Sequence, residues 1–161
     1  MQKIITNLWF DTQAEEAARF YTSLLPDSSI DEISYYDAAG AAVSGRSEGS
    51  VLTVEFTLAG QRYIAINGGP LFRFTPAVSL MISCETQQEI DRLWEAFCLE
   101  GQESQCGWLT DKYGLSWQIV PARMSDWMKT ASPEQLLRMN QAMYGMKKLV
   151  ISELEAALQS K

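Results

Sequence analysis

Two stretches of the chain open in the same way. Residues 10–21 read FDTQAEEAARFY and residues 84–95 read CETQQEIDRLWE. In each, an acidic residue precedes Thr-Gln-x-Glu, and Thr86 follows Thr12 by 74 positions. Thr12 with Glu15, and Thr86 with Glu89, have the spacing of a capping box, a reciprocal side-chain-to-backbone exchange that starts a helix. A strand-like run precedes each one, ITNLWF and AVSLMIS. Recurrence of a whole strand–helix unit predicts a duplicated module.

Both predicted helices are amphipathic. Ala17, Phe20, Tyr21, Leu24 and Leu25 share one face of the first, which Pro26 stops. Ile90, Leu93, Trp94 and Phe97 share one face of the second, which Gly101 ends. Strand candidates follow the first helix at 29–36, 50–60 and 61–69. DAAGAAVSGRSEG reads as a loop between the first pair, and the small residues Ala59 and Gly60 turn the second pair. Shorter strands follow the second helix, around ESQCGWLT and LSWQIVP, joined through Asp111-Lys112-Tyr113-Gly114. From 122 onward the pattern is helical. Ser132-Pro133-Glu134-Gln135 reads as N-cap, N1 proline and capping partner, ahead of a Leu136, Met139, Met143, Met146 stripe, with a last helix near 152–159. The expected fold class is α+β: two βαβββ modules, at 1–70 and, trimmed, at 71–121, then a helical extension at 122–161.

Composition narrows function. The chain contains no histidine, which removes Ser-His-Asp and Cys-His catalysis and every histidine metal ligand. Net charge is −7, which argues against a nucleic-acid surface. No apolar run reaches the roughly 18 residues of a membrane span, and the N-terminal stretch lacks the long apolar core of a signal peptide. Cys84, Cys98 and Cys106 are odd in number without metal-type spacing, so a reducing cytoplasm fits.

Strand side chains alternate between faces. One expected face is apolar: Leu8, Phe10, Val54, Phe56, Ile64, Ile66, Leu80, Ile82, Trp117 and Ile119. The other is mixed: Asn7, Trp9, Ser34, Tyr36, Thr53, Glu55, Tyr63, Asn67, Ser79, Met81, Ser83, Ser116 and Gln118. Hydroxyls, amides and aromatics in place of Lys and Arg suit either a cleft around a small organic ligand or a sheet covered by its partner module. Glu55 is the one carboxylate of that face and is the candidate general base, or else a structural acceptor. Cys106 has no basic neighbour in sequence and reads as structural. Trp108 reads equally as a stacking wall or as core.

The motifs LWFD…AARFYTSLLPDS, VLTVEFTLAGQRYIAINGGP and QCGWLTDKYGLSWQIVP, with the Asp-x-x-Gly-x-x-Trp-x-Ile ending, resemble the vicinal oxygen chelate superfamily over nearly the whole chain. This is the group of glyoxalase I, extradiol dioxygenases and the bleomycin and fosfomycin resistance proteins. Within it they look like the PhnB-like branch, often labelled 3-demethylubiquinone-9 3-methyltransferase. The resemblance implies paired modules forming a U-shaped sheet around a cleft, usually in a homodimer. In metal-dependent relatives four strands each supply a His or Glu to one divalent ion. The corresponding places fall near Ile5 or Asn7, near Ala65 or Asn67, near Ser79, and on Gln118. None is His, Asp, Glu or Cys, and neutral oxygens hold hard cations weakly, so no metal and no cofactor is expected. The methyltransferase label is not supported: INGGP lacks the glycine spacing of a nucleotide loop and follows the wrong strand.

The leading expectation is a metal-free protein binding a small organic molecule through Asn7, Trp9, Tyr36, Asn67, Ser79, Cys106, Trp108 and Gln118. The alternatives are a lyase or isomerase using Glu55 with Gln118, a metal enzyme with unusual ligands, and a subunit whose methionine-rich helix is a partner surface.

Overall fold

The computed structural model describes residues 2–159. The chain divides into two compact units, residues 1–73 and 74–161. The first contains β1 (Thr6–Phe10), α1 (Ala14–Leu24), β2 (Ser29–Tyr35), α2 (Ala38–Ser44), β3 (Val51–Leu58) and β4 (Gln61–Asn67). The second contains β5 (Ser79–Cys84), α3 (Gln87–Cys98), β6 (Gln102–Glu103), β7 (Trp108–Thr110) and β8 (Ser116–Pro121). It ends with α4 (Met124–Thr130), α5 (Pro133–Tyr144) and α6 (Ile151–Gln159). The sheet orders are β1-β4-β3-β2 and β5-β8-β7-β6. In both, the first strand of the unit pairs in parallel with the last, and the rest are antiparallel. The duplication expected from the repeated Thr-Gln-x-Glu is therefore present at the level of topology. The second copy is trimmed to two residues in β6 and three in β7.

In each unit a helix covers one sheet face. α1 buries Ala14, Ala17, Ala18 and Tyr21, and α3 buries Ile90, Leu93, Trp94 and Phe97. The Phe97 and Trp117 rings lie 4.7 Å apart, the Phe56 and Tyr63 rings 5.5 Å apart and stacked. Each such fully buried side chain is worth about 1.5–3 kcal/mol relative to exposure.

The structure corrects four local expectations. The Thr12–Glu15 capping box does not form. Gln13 stands at the N-cap without a side-chain bond into the helix, and Asn67 Oδ1 on β4 accepts from Ala14 N at 2.8 Å instead. The second box is partial: Thr86 Oγ1 accepts from Glu89 N, while Glu89 Oε2 reaches past the cap to Glu85 N. The Ser132–Gln135 box is complete. The expected loop after β2 contains α2, started by Asp37, whose carboxylate accepts from Gly40 N at 2.7 Å; its run of alanines has high helix propensity.

The fourth correction bears on the site. β4 faces opposite to expectation. Ala59 and Gly60, at φ 46° and 78°, close a tight turn that pairs Phe56 with Tyr63 and Val54 with Ala65. Tyr63, Ala65 and Asn67 therefore lie on the helix-covered face, buried, and Ile64 and Ile66 lie on the other. A period-two pattern carries no sign of which face is inner when both sets contain apolar residues. Tyr36 is also displaced: it follows the end of β2, is buried, and donates its hydroxyl to Asn67 O at 2.8 Å.

Candidate functional site

The expected site residues fall into two groups. In the first unit the helix-free sheet face carries Asn7, Trp9, Ser34, Thr53 and Glu55. Asn7 is exposed and donates to Ile5 O at 3.1 Å. Trp9 is half-buried, donates its indole N–H to Gly69 O at 2.8 Å and meets Phe72 edge-on. Glu55 forms an ion pair with Arg62 at 2.7 Å, which gives the carboxylate a structural partner on its own face. Asn67 and Tyr36 stand apart from this face. The Asn67 amide is occupied twice, by Ala14 N and by Val51 O, and ties the helix start to the neighbouring strand.

The second group meets in one hollow. β8 is positioned by the Asp-x-x-Gly turn of the sequence. Asp111 is buried; its Oδ1 accepts from Tyr113 N and Leu115 N, and its Oδ2 accepts from Trp117 Nε1 at 2.8 Å. Trp117 is thereby locked to the helix side, and alternation sends Gln118 to the other. There its Nε2 donates to Ser79 Oγ at 2.9 Å. Trp108 pairs directly with Gln118 across the β7–β8 ladder and shares its face.

That face is roofed by the helical extension. The hollow has a volume of about 360 Å³. Its floor is Met81, Ser83, Trp108, Gln118 and Val120. Met124, Ser125 and Met128 of α4 and Asn140 and Met143 of α5 close it from above, with Cys106 and Leu149 at one side. Of the expected ligand residues, the hollow unites Cys106, Trp108 and Gln118, and Ser79 touches it through Gln118. The residues that sequence reasoning missed come from the extension. One signal was available: Asn140 sits four positions after Leu136 and three before Met143, a polar residue inside the methionine stripe.

The extension is fixed to its unit mainly through the main chain. Cys106, at φ 58°, and Gly107, at φ 83°, turn their amides onto Met146 O and Lys147 O at 2.8 and 2.7 Å. A Cβ at residue 107 would meet Ile119 O at 2.8 Å and the Leu149 side chain at 3.1 Å, so only glycine fits this corner. The Gln87 amide accepts from Ile151 N and donates to Leu149 O. Lys147 pairs with Glu103 and Lys148 with Asp91. Beneath them Val120, Trp127, Met139, Met146, Leu149, Leu154 and Leu158 form a buried cluster. Hydrogen bonds from Lys148 and Gln87 hold the Asp91 carboxyl below its ordinary value, and bonds from Trp94 and Lys147 do the same for Glu103.

Burial, followed by the charge of Glu89, pushes the Cys84 thiol up to about 12; burial, followed by Glu103, pushes Cys98 to about 11. Both remain thiols at neutral pH. Among the described residues all three cysteines are free, and no three Cys, Asp or Glu side chains are grouped to hold a metal ion. The places carried over from metal-dependent relatives do not fit such an ion either: Asn67 is consumed on the helix face, and Gln118 and Ser79 bond to each other. A second hollow of the same unit, about 430 Å³, is bordered by the Arg123–Glu155 ion pair. A third, about 280 Å³ in the first unit, is bordered by the Arg46–Asp11 pair. Their charged groups are already matched within the protein.

Among the described residues no helix is long and apolar enough to cross a membrane. No curated protein matches the chain. A solved Bacillus cereus protein, described as a putative 3-demethylubiquinone-9 3-methyltransferase, PhnB protein, is 42% identical. It matches at a TM-score of 0.68 over 75% of this chain and 100% of its own. A Pseudomonas aeruginosa protein, PA1353, shares the fold at 15% identity, with a TM-score of 0.59 over 75% of this chain and 98% of its own. The family model for 3-demethylubiquinone-9 3-methyltransferase matches residues 2–120, which end one residue before the end of β8 and before α4 begins. On that match and on its duplicated glyoxalase-like fold, the chain belongs to the 3-demethylubiquinone-9 3-methyltransferase family, the PhnB-like branch of the vicinal oxygen chelate superfamily.

Proposed function

We propose that this protein binds a small organic molecule in the hollow between the second sheet and the α4–α5 roof, without a metal ion. One observation carries the reading: a half-open hollow of about 360 Å³ brings together Cys106, Trp108 and Gln118, three of the residues expected to contact a ligand. A space of this size, mostly apolar with a few convergent polar groups, is the usual form of a small-molecule site. The acid–base alternative has less support. Glu55 is engaged by Arg62, and Gln118 is neutral and fixed by Ser79. A methyl transfer has less support still, because the glycine pair after β4 ends a strand in a mixed four-stranded sheet rather than opening a doubly wound one. A homodimer and a cytoplasmic location are part of the same proposal. Free cysteines favour a reducing compartment, and light scattering at twice the monomer mass would support self-association.

The test is a thermal-shift panel of neutral aromatic and quinone-like compounds. A ligand at about 100 times its Kd stabilises by about 2.7 kcal/mol, which for a chain of this size raises Tm by roughly 5–10 °C. Ser125→Trp, an exposed α4 position on the rim, fills the hollow and should abolish the shift. If no compound raises Tm, or the shift survives in Ser125→Trp, the proposal is wrong.

A further inference from the structure

The chemistry of the walls says more than their presence. No Asp, Glu, Lys or Arg lines the hollow. An ion entering it would give up part of its water and meet no counter-charge among the lining side chains. The walls are soft: Met81, Met124, Met128 and Met143 lie around the half-buried Trp108. Thioether side chains adapt to irregular apolar shapes and pack well against aromatic rings. Two amides interrupt this lining. Gln118 has its Nε2 directed to Ser79, which leaves its oxygen for another partner. Asn140 is half-buried, and among the described residues its amide has no hydrogen-bond partner within the protein. An amide on the wall of an apolar hollow matches an uncharged polar edge, such as a carbonyl or hydroxyl, and rejects analogues that lack one.

The source of these groups matters as well. More than half of the lining, from Pro121 to Leu149, lies beyond residue 120, where the family match ends. The Bacillus cereus structure is covered in full by three quarters of this chain. The roof, with Asn140, is therefore an addition to the shared fold. We infer that the hollow takes a neutral, largely apolar molecule bearing one uncharged polar edge, selected by the added helices rather than by the family sheet. The inference rests on the reading of this hollow as a binding site.

Two fluorescent probes of one skeleton separate the two ideas: N-phenylnaphthylamine, which is neutral, and anilinonaphthalene sulfonate, its ring-sulfonated and therefore anionic derivative. Titrated into the full chain, the neutral probe should bind on the order of 30-fold more tightly. Ser125→Trp should remove the binding of both. Met128→Lys, at an exposed rim position, puts a cation at the hollow and should narrow the preference at least roughly fivefold. Asn140→Leu should weaken displacement of the neutral probe by naphthol about tenfold while leaving displacement by naphthalene unchanged. If neither probe binds, or binding survives Ser125→Trp, the site itself is refuted. If both bind there and the sulfonate is equal or tighter, the site stands and the neutral class is refuted. Equal effects of Asn140→Leu on naphthol and naphthalene overturn the polar edge.

Discussion

Replacing Asp111 by asparagine keeps the size of the side chain and removes its charge. Donors that converge on this carboxylate include Tyr113 N at 2.9 Å and Leu115 N at 3.0 Å on Oδ1, and Trp117 Nε1 at 2.8 Å on Oδ2. An asparagine can turn its oxygen to the two backbone amides, but then its NH2 faces the indole N–H, donor against donor. Trp117 is 1% exposed, so no water can substitute. A charge-assisted bond is worth about 1.5–3 kcal/mol, and a buried unsatisfied donor costs a similar amount; the two overlap, so the expected loss is about 3 kcal/mol. Urea unfolding followed by far-ultraviolet circular dichroism avoids the perturbed tryptophan signal. With m near 2 kcal/mol/M, the midpoint should fall by roughly 1.5 M at unchanged m. Trp117→Phe, combined with Asp111→Asn, removes the frustrated donor, so the double variant should be about 1–2 kcal/mol more stable than the sum of the single losses predicts. A loss below about 0.5 kcal/mol, or strict additivity, would refute the view that this carboxylate aims β8.

Other expectations follow from the same geometry. Asn67→Leu removes the acceptor of Ala14 N and the donor to Val51 O, so stability should drop by about 2–3 kcal/mol in urea; a neutral result would mean that α1 needs no external cap. Gln87→Met frees Ile151 N and Leu149 O, so hydrogen exchange at Ile151 should accelerate about tenfold or more while β3 amides stay protected. In acid, Asp91 and Glu103 should release the extension. Their folded-state pKa values lie below the ordinary 3.8 and 4.5, so their support is complete above those values and is lost as pH falls through the lower folded ones. The Tm gap between the wild type and a Lys147→Met, Lys148→Met variant should therefore be open at pH ~6 and should narrow as pH falls below the ordinary carboxylate values; a gap constant with pH would contradict this assignment.

The candidate site was legible in part. Gln118 could be placed opposite Trp117 by alternation after the Asp-x-x-Gly turn, whereas Trp108 stayed open between wall and core until the ladder register paired it with Gln118. Tyr36 and Asn67 could not be placed. In QRYIAIN both alternating sets hold apolar residues, so the pattern permits either face, and the register of the Ala59–Gly60 turn makes the choice. Thr12 shows the same limit for a local motif: its spacing fits a cap, yet the N-cap falls on Gln13, and a strand residue 55 positions after Thr12 accepts from Ala14 N at the helix start.

What the residues determined alone was periodic and local: two strand–helix units in the same order, the amphipathic faces of α1 and α3, the Ser132 cap and the absence of imidazole chemistry. These follow from spacing and composition, which act over a few residues. Only the tertiary structure decided where the C-terminal helices go. Their methionine stripe is compatible with any apolar surface. Main-chain bonds at Cys106 and Gly107, the Gln87 amide and two lysine pairs bring them over the second sheet. The hollow exists because groups distant in sequence satisfy one another's hydrogen bonds there, a condition that no local pattern encodes.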